Sequence, residues 1–199
     1  MREVTRGTVT PQQKGIGVNN RFGNSNIRLQ QGTSKSIFDT IIVTQAELQQ
    51  GVTIRFFEDV QNRAFPLTNL DNTNQLTVGE TLITENYYLA VGDISDGVIG
   101  KFDPLQNDIL GQSEFSFEIG NSLTIKRLPL LSSVGPFNPN AGFNEYTVYN
   151  FYTQVVIPPL MNFVGIVRVP PFAGAPADGL ALRLNIEGVG SLLAPRTTF

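Results

Sequence analysis

Residues 146–169 read YTVYNFYTQVVIPPLMNFVGIVRV. The first half, Tyr146–Ile157, is dense in aromatic and β-branched side chains, which suit a pleated, packed surface. Pro158 and Pro159 follow. Neither can donate a ladder hydrogen bond, so together they mark a corner between two strands. Beyond the corner a second apolar run begins, with Met161, Phe163, Val167 and Val169 on one face and Asn162 and Arg168 on the other. Two strands joined at a corner, both apolar, belong to one packed β core.

The same pattern extends in both directions. Towards the C-terminus, Leu180, Leu182, Leu184 and Ile186 alternate with Ala181, Arg183, Asn185 and Glu187, the pattern of a half-buried strand. On alternation alone Arg183 faces solvent, and its truncation should cost well under half of what Leu182's does. Towards the N-terminus, Phe115, Phe117 and Ile119 alternate with Glu114, Ser116 and Glu118. Gly120-Asn121 then fits a two-residue hairpin loop returning through Ser122–Leu128. Further strands are expected at Ser36–Val43, Val52–Phe57 and Thr81–Val91, with a weaker local pairing at Gln75–Val78. Gly92–Gly97 (GDISDG) reads as a turn cluster.

Helix-start chemistry occurs twice and only briefly. Thr44-Gln45-Ala46-Glu47 matches a capping box, stopped by Gly51. Asp103-Pro104-Leu105-Gln106 has an N-cap and a proline at the first helical position, stopped by Gly111. One or two short helical turns are therefore expected among eight principal strands.

Eight antiparallel strands in two facing sheets is the jelly-roll number. The expectation is an all-β, eight-stranded antiparallel jelly-roll sandwich. An immunoglobulin-type sandwich is the runner-up, without its Cys…Trp…Cys core signature. No repeat or linker divides residues 33–199, which read as a single domain. Met1–Gly32 differs: it is rich in Gly, Asn, Gln and Thr, with isolated apolar residues (Val4, Val9, Ile16, Val18, Phe22, Ile27, Leu29) and no helical period. It reads as an extended N-terminal arm, mobile when left free.

Composition narrows the chemistry. The 199 residues contain no Cys and no His, which removes disulfides, thiol nucleophiles, serine triads and most zinc sites. Charged residues make up 16% of the chain, below the roughly 25% of ordinary soluble domains, as for a surface largely hidden against neighbours. The arm carries Arg2, Arg6, Lys14, Arg21 and Arg28 against Glu3, a net of +4, which leaves −7 on the rest of a chain of net charge −3. A basic arm on an acidic body is an interaction pattern. Five charges over 32 residues are sparse for a nucleic-acid arm, so subunit contact is favoured over nucleic acid or anionic lipid. Neither a signal-peptide h-region nor an apolar membrane span is present, and a soluble, unexported product is expected.

Remaining candidates each have a plainer reading. Asp93 and Asp96 beside Gly97 offer oxygen ligands for Ca²⁺, as does Asp71-Asn72-Thr73-Asn74, but Asp–Gly and Asn-rich turns are common without metal. Glu85, Glu114 and Glu118 are available for a carboxylate pair, yet the last two fit the polar side of an alternating strand. Tyr87, Tyr88, Tyr146, Tyr149 and Tyr152 could form a sugar-stacking platform, though aromatics on strands are mostly core. No catalytic residue, cofactor or small-molecule substrate is indicated.

The basic polar arm before Pro-bounded aliphatic strands resembles the jelly-roll coat proteins of small icosahedral viruses. The segments SIFDTIIVTQAEL, VTIRFFEDV and VVIPPLMNFVGIVRV are most similar to virion proteins of tailless bacteriophages. The resemblance implies a structural protein that assembles with copies of itself, and with other virion proteins, into a capsid shell, made in the host cytoplasm and located in the virion. A major capsid role is favoured over a minor vertex protein. The alternatives are a carbohydrate- or receptor-binding sandwich module and a glycosidase or lyase.

Overall fold

The computed structural model describes residues 30–59, 63, 65–70, 74–102, 109, 111–130 and 149–193. Among the described residues it is mostly β, with a short helix after the first strand and helical positions at Ile109 and Gly111. The elements are β1 (Gln30–Val43), α1 (Gln45–Gln50), β2 (Val52–Phe56), β3 (Thr81–Ser95), β4 (Val98–Phe102), β5 (Glu114–Ile119), β6 (Ser122–Pro129), β7 (Tyr149–Ile157), β8 (Phe163–Val169) and β9 (Leu180–Leu193). Each of the eight expected strands has a counterpart, and β4 is an additional one.

Two antiparallel sheets form. In the first the order is β1-β9-β3, and β3 is long enough to carry both β4 and β7 on its far side. In the second the order is β2-β8-β5-β6. Setting aside β4, which folds back on the end of β3, the pairs nest: β1 with β9, β2 with β8, β3 with β7, β5 with β6. Successive pairs alternate between the two sheets. The chain is therefore one long antiparallel ribbon, closed by the further pairings β3·β9 and β5·β8.

The turns follow the residues that make them. Asp96 and Gly97 both take positive φ (52° and 74°) and join β3 to β4 in two residues, the demand of a type I′ turn. Gly120, at φ 59°, opens the β5–β6 hairpin at the expected place. In α1 the Thr44 hydroxyl accepts from the Glu47 N–H while the Glu47 carboxylate accepts from the Thr44 N–H at 2.9 Å, so the expected capping box is formed. The Thr44 hydroxyl, which also donates to the Glu47 carboxylate at 2.7 Å, and the Thr44 N–H together hold Glu47 below the ordinary 4.5 of a glutamate. Thr44→Ala should lower stability by about 1 kcal/mol, read from a urea melt.

Several boundaries differ from the sequence reading. The turn cluster shrinks to Asp96-Gly97, because Gly92–Ser95 continue β3, with Gly92 lying beneath the Phe102 ring. β9 runs on past Glu187 through two glycines; a Cβ at Gly188 would fall 1.9 Å from the Ile83 carbonyl oxygen, so only glycine lets these backbones approach. β1 begins at Gln30, opposite Leu193, so the last three residues assigned to the arm belong to the sheet. Polar Gln30–Lys35 give no alternation to read; backbone pairing with β9 makes them strand. Of the helical turn expected from Asp103 to Gly111, only Ile109 and Gly111 are described, and both are helical.

The two sheets share one core, joined by a line of rings. Tyr87 of β3 stacks on Phe115 of β5 (centroids 4.4 Å) and touches Phe151 of β7 (4.8 Å); Phe117 then meets Phe163 of β8, which meets Phe57. Leu182, Leu184 and Ile186 are fully buried from the opposite sheet. Met161 does not share the inward face of Phe163, Val167 and Val169: it lies before β8 begins and is exposed. The outer edge of β1 is covered by residues 65–70: Thr40 N–H donates to Leu67 O (2.8 Å), and Asn69 bonds both the Phe38 N–H and the Ser36 carbonyl. Covering an edge in this way blocks strand addition there.

Candidate interaction surface

β9 lies at the centre of its sheet, so its outward side chains have neighbours on both flanks. Arg183 pairs in register with Thr40 of β1 and Ala90 of β3. Its guanidinium sits between the rings of Phe38 (4.6 Å) and Phe102 (4.4 Å), and donates to Thr40 Oγ1 and Pro66 O, each at 2.8 Å. Around it Thr40, Ala90, Ala181 and Asn185 are all buried. Arg183 lies on the outer face, as alternation implies, but it is half-buried and held by neighbours rather than free in solvent. Residues 65–70 and β4 fold over the outer face, and their cover is invisible to a period-two pattern.

Inside the sandwiched layer the sequence reading missed a charge. Asp39 occupies an inward position of the apolar stretch SIFDTIIV and is 0% exposed. Its Oδ2 accepts from the Phe57 N–H at 2.6 Å and lies 3.0 Å from an Arg63 guanidinium nitrogen. Phe57 itself takes φ 69°, where the chain leaves β2. Burial pushes the Asp39 carboxyl above its ordinary 3.8, against the Phe57 hydrogen bond and the Arg63 charge, which favour ionisation. The available signal was the lone Asp among apolar neighbours. Its role here is to clasp three segments together.

The sequence candidates are dispersed. Asp93 is an exposed strand residue and Asp96 an exposed turn residue whose positive φ the hairpin requires. Among the described residues no three acidic side chains come together as a metal site. Glu114 and Glu118 lie four residues apart on one strand, about 13 Å at strand rise, beyond the roughly 5–9.5 Å of a glycosidase pair. Glu85 is on the other sheet. Tyr87 is consumed by the core and Tyr88 is half-buried near Arg183. Tyr149 lies opposite Tyr87 in the β3–β7 ladder. Arg2, Arg6, Lys14, Arg21 and Arg28 lie outside the described residues, as do Asp71–Thr73 and Tyr146.

One region does gather exposed apolar surface. At the end of the molecule where β5 turns into β6 and β7 into β8, Val78, Leu160 and Met161 are exposed, at 72%, 59% and 42%. Beside them a cleft of about 400 Å³ opens between the β6 and β7 edges, lined by Ile119, Val155, Val156, Pro158 and Met161 with the polar Ser122, Thr124 and Gln154. None of the described lining residues is charged. The turns that frame it are tied together: Gly120 N–H donates to Asn162 O (2.7 Å), Leu160 N–H to Leu76 O (3.0 Å) and Phe163 N–H to Asn74 O (2.9 Å). The exposed rim is apolar, and the turns that carry it are held by these backbone bonds.

Compared with known proteins, the chain matches no family model, no curated protein and no solved structure. No helix among the described residues is long and apolar enough to cross a membrane.

Proposed function

We propose that the two sheets form a jelly roll and that the protein is a structural virion component, which self-assembles with copies of itself into an icosahedral shell. The observation that carries the reading is the nested pairing β1·β9, β2·β8, β3·β7, β5·β6 alternating between sheets, which is how a ribbon rolls into two Greek keys. A low content of charge and an apolar rim at one end support association with further copies. The basic arm then meets the acidic bodies of neighbouring subunits, and a major shell role is preferred to a vertex role.

Electron microscopy and sedimentation of the purified protein test this: closed particles are expected, and persistent monomers at high concentration would overturn it. Removal of residues 1–29, stopping before the first strand pair, should leave the thermal melt cooperative while altering or blocking particle formation. Cutting at residue 32 instead would remove three rungs of the β1–β9 ladder and confuse the two effects.

A further inference from the structure

We infer that the arm, residues 1–29, docks in cis: in the unassembled chain its apolar residues fill the cleft between the β6 and β7 edges of its own domain. The strand register puts the two at the same end. Thr33 of β1 is level with Gly190, Leu82 and Ile157 across β9, β3 and β7. Pro158, one residue beyond Ile157, lines the cleft, and Gln30, three residues beyond Thr33, is where the arm meets the sheet. The sideways separation is three strand spacings, about 14 Å. Eight residues from Phe22 to Gln30 span up to about 26 Å when extended, so Phe22 and the alternating pair Ile16 and Val18 can reach the cleft.

The chemistry fits as well as the reach. Among the described residues the cleft is lined mainly by apolar side chains with no charge, and its rim (Val78, Leu160, Met161) is apolar. The arm's apolar residues are too sparse to form a core but suffice to line a groove. A tether this short holds its ligand at an effective concentration on the order of millimolar, so the chain's own arm outcompetes a second copy in dilute solution. Docking in cis covers the apolar end until neighbours displace the arm. This inference stands apart from the shell reading, because it concerns the single chain.

A cysteine-free chain makes the test clean. In full-length protein kept dilute and shown monomeric by sedimentation, one cysteine is placed in the arm (Asn24→Cys) and one on the cleft wall (Met161→Cys). The control replaces the wall cysteine by one at the opposite end (Asp178→Cys). Intrachain disulfide formation at the wall is expected to be about tenfold faster than at the control, because docking raises the local concentration at the wall above what the tether alone gives at the control, and to slow towards the control rate when Phe22→Ala is added. Ser122→Cys provides a second wall position should Met161→Cys perturb folding, which a thermal melt checks. Equal rates at wall and control would overturn the proposal. So would crosslinked dimers in place of intrachain products, which would assign the cleft to a second copy.

Discussion

Leu182→Ala is expected to lower the unfolding free energy by about 2–5 kcal/mol, the range for deleting a fully buried leucine. Leu182 is completely buried and pairs in register with Ile41 and Val91 on the same inward face. The neighbouring Arg183→Ala should cost about 2 kcal/mol, more than alternation suggests. It removes two ring contacts worth about 0.5–1 kcal/mol each and two hydrogen bonds, and it leaves Pro66 O and the Thr40 hydroxyl without that donor. Urea denaturation of both variants checks this. An Arg183→Ala protein as stable as the parent would mean that the covered outer face contributes nothing. A Leu182→Ala loss below 1 kcal/mol would place the strand in the wrong register.

Asp39→Ala should be at least as damaging, about 3–5 kcal/mol, because it leaves the Arg63 guanidinium without its buried partner and the Phe57 N–H without an acceptor. The pH response has two opposing parts. Burial raises the Asp39 pKa above 3.8, so the folded chain holds this proton to a higher pH than the unfolded chain does. Its titration therefore adds stability as pH falls from the raised value towards 3.8, and removes it as pH rises. Glu80 goes the other way. Burial alone would raise it, but hydrogen bonds from Lys35 and Thr77 and the Lys35 charge bring it below 4.5. Glu47 is lowered by its cap. Their contributions are present above 4.5 and are lost as pH falls through their folded values. Asp39→Asn removes the first part only, so its stability curve should fall more steeply than the parent's on acidification from the raised Asp39 value to 3.8. Parallel curves for the two proteins would show that Asp39 titrates alike in both states.

Much of this protein is legible as residue chemistry. A corner at Pro158-Pro159, a capping box at Thr44–Glu47 and a hairpin at Gly120-Asn121 each depend on a few adjacent residues. Those local demands hold whatever surrounds them, and the structure meets each one. The alternation of Leu180–Ile186 likewise specified which side chains enter the core. Other features have no local signal. Polar Gln30–Lys35 become strand because β9 offers them hydrogen-bond partners, and Gly188 continues a strand because it must pass close to Ile83. Arg183 is only partly exposed because Pro66 and the Phe102 ring pack against it. Asp39 is tolerated in the core because Arg63 and the Phe57 amide, 24 and 18 positions away in a chain of 199, converge on it. The sequence by itself determined the centres of the eight expected strands and the local corners and caps, since propensity and period are written in neighbouring residues. Only the tertiary structure decided the nesting of the strands, the covered outer face, the buried charge and the apolar end, since each depends on partners remote in sequence.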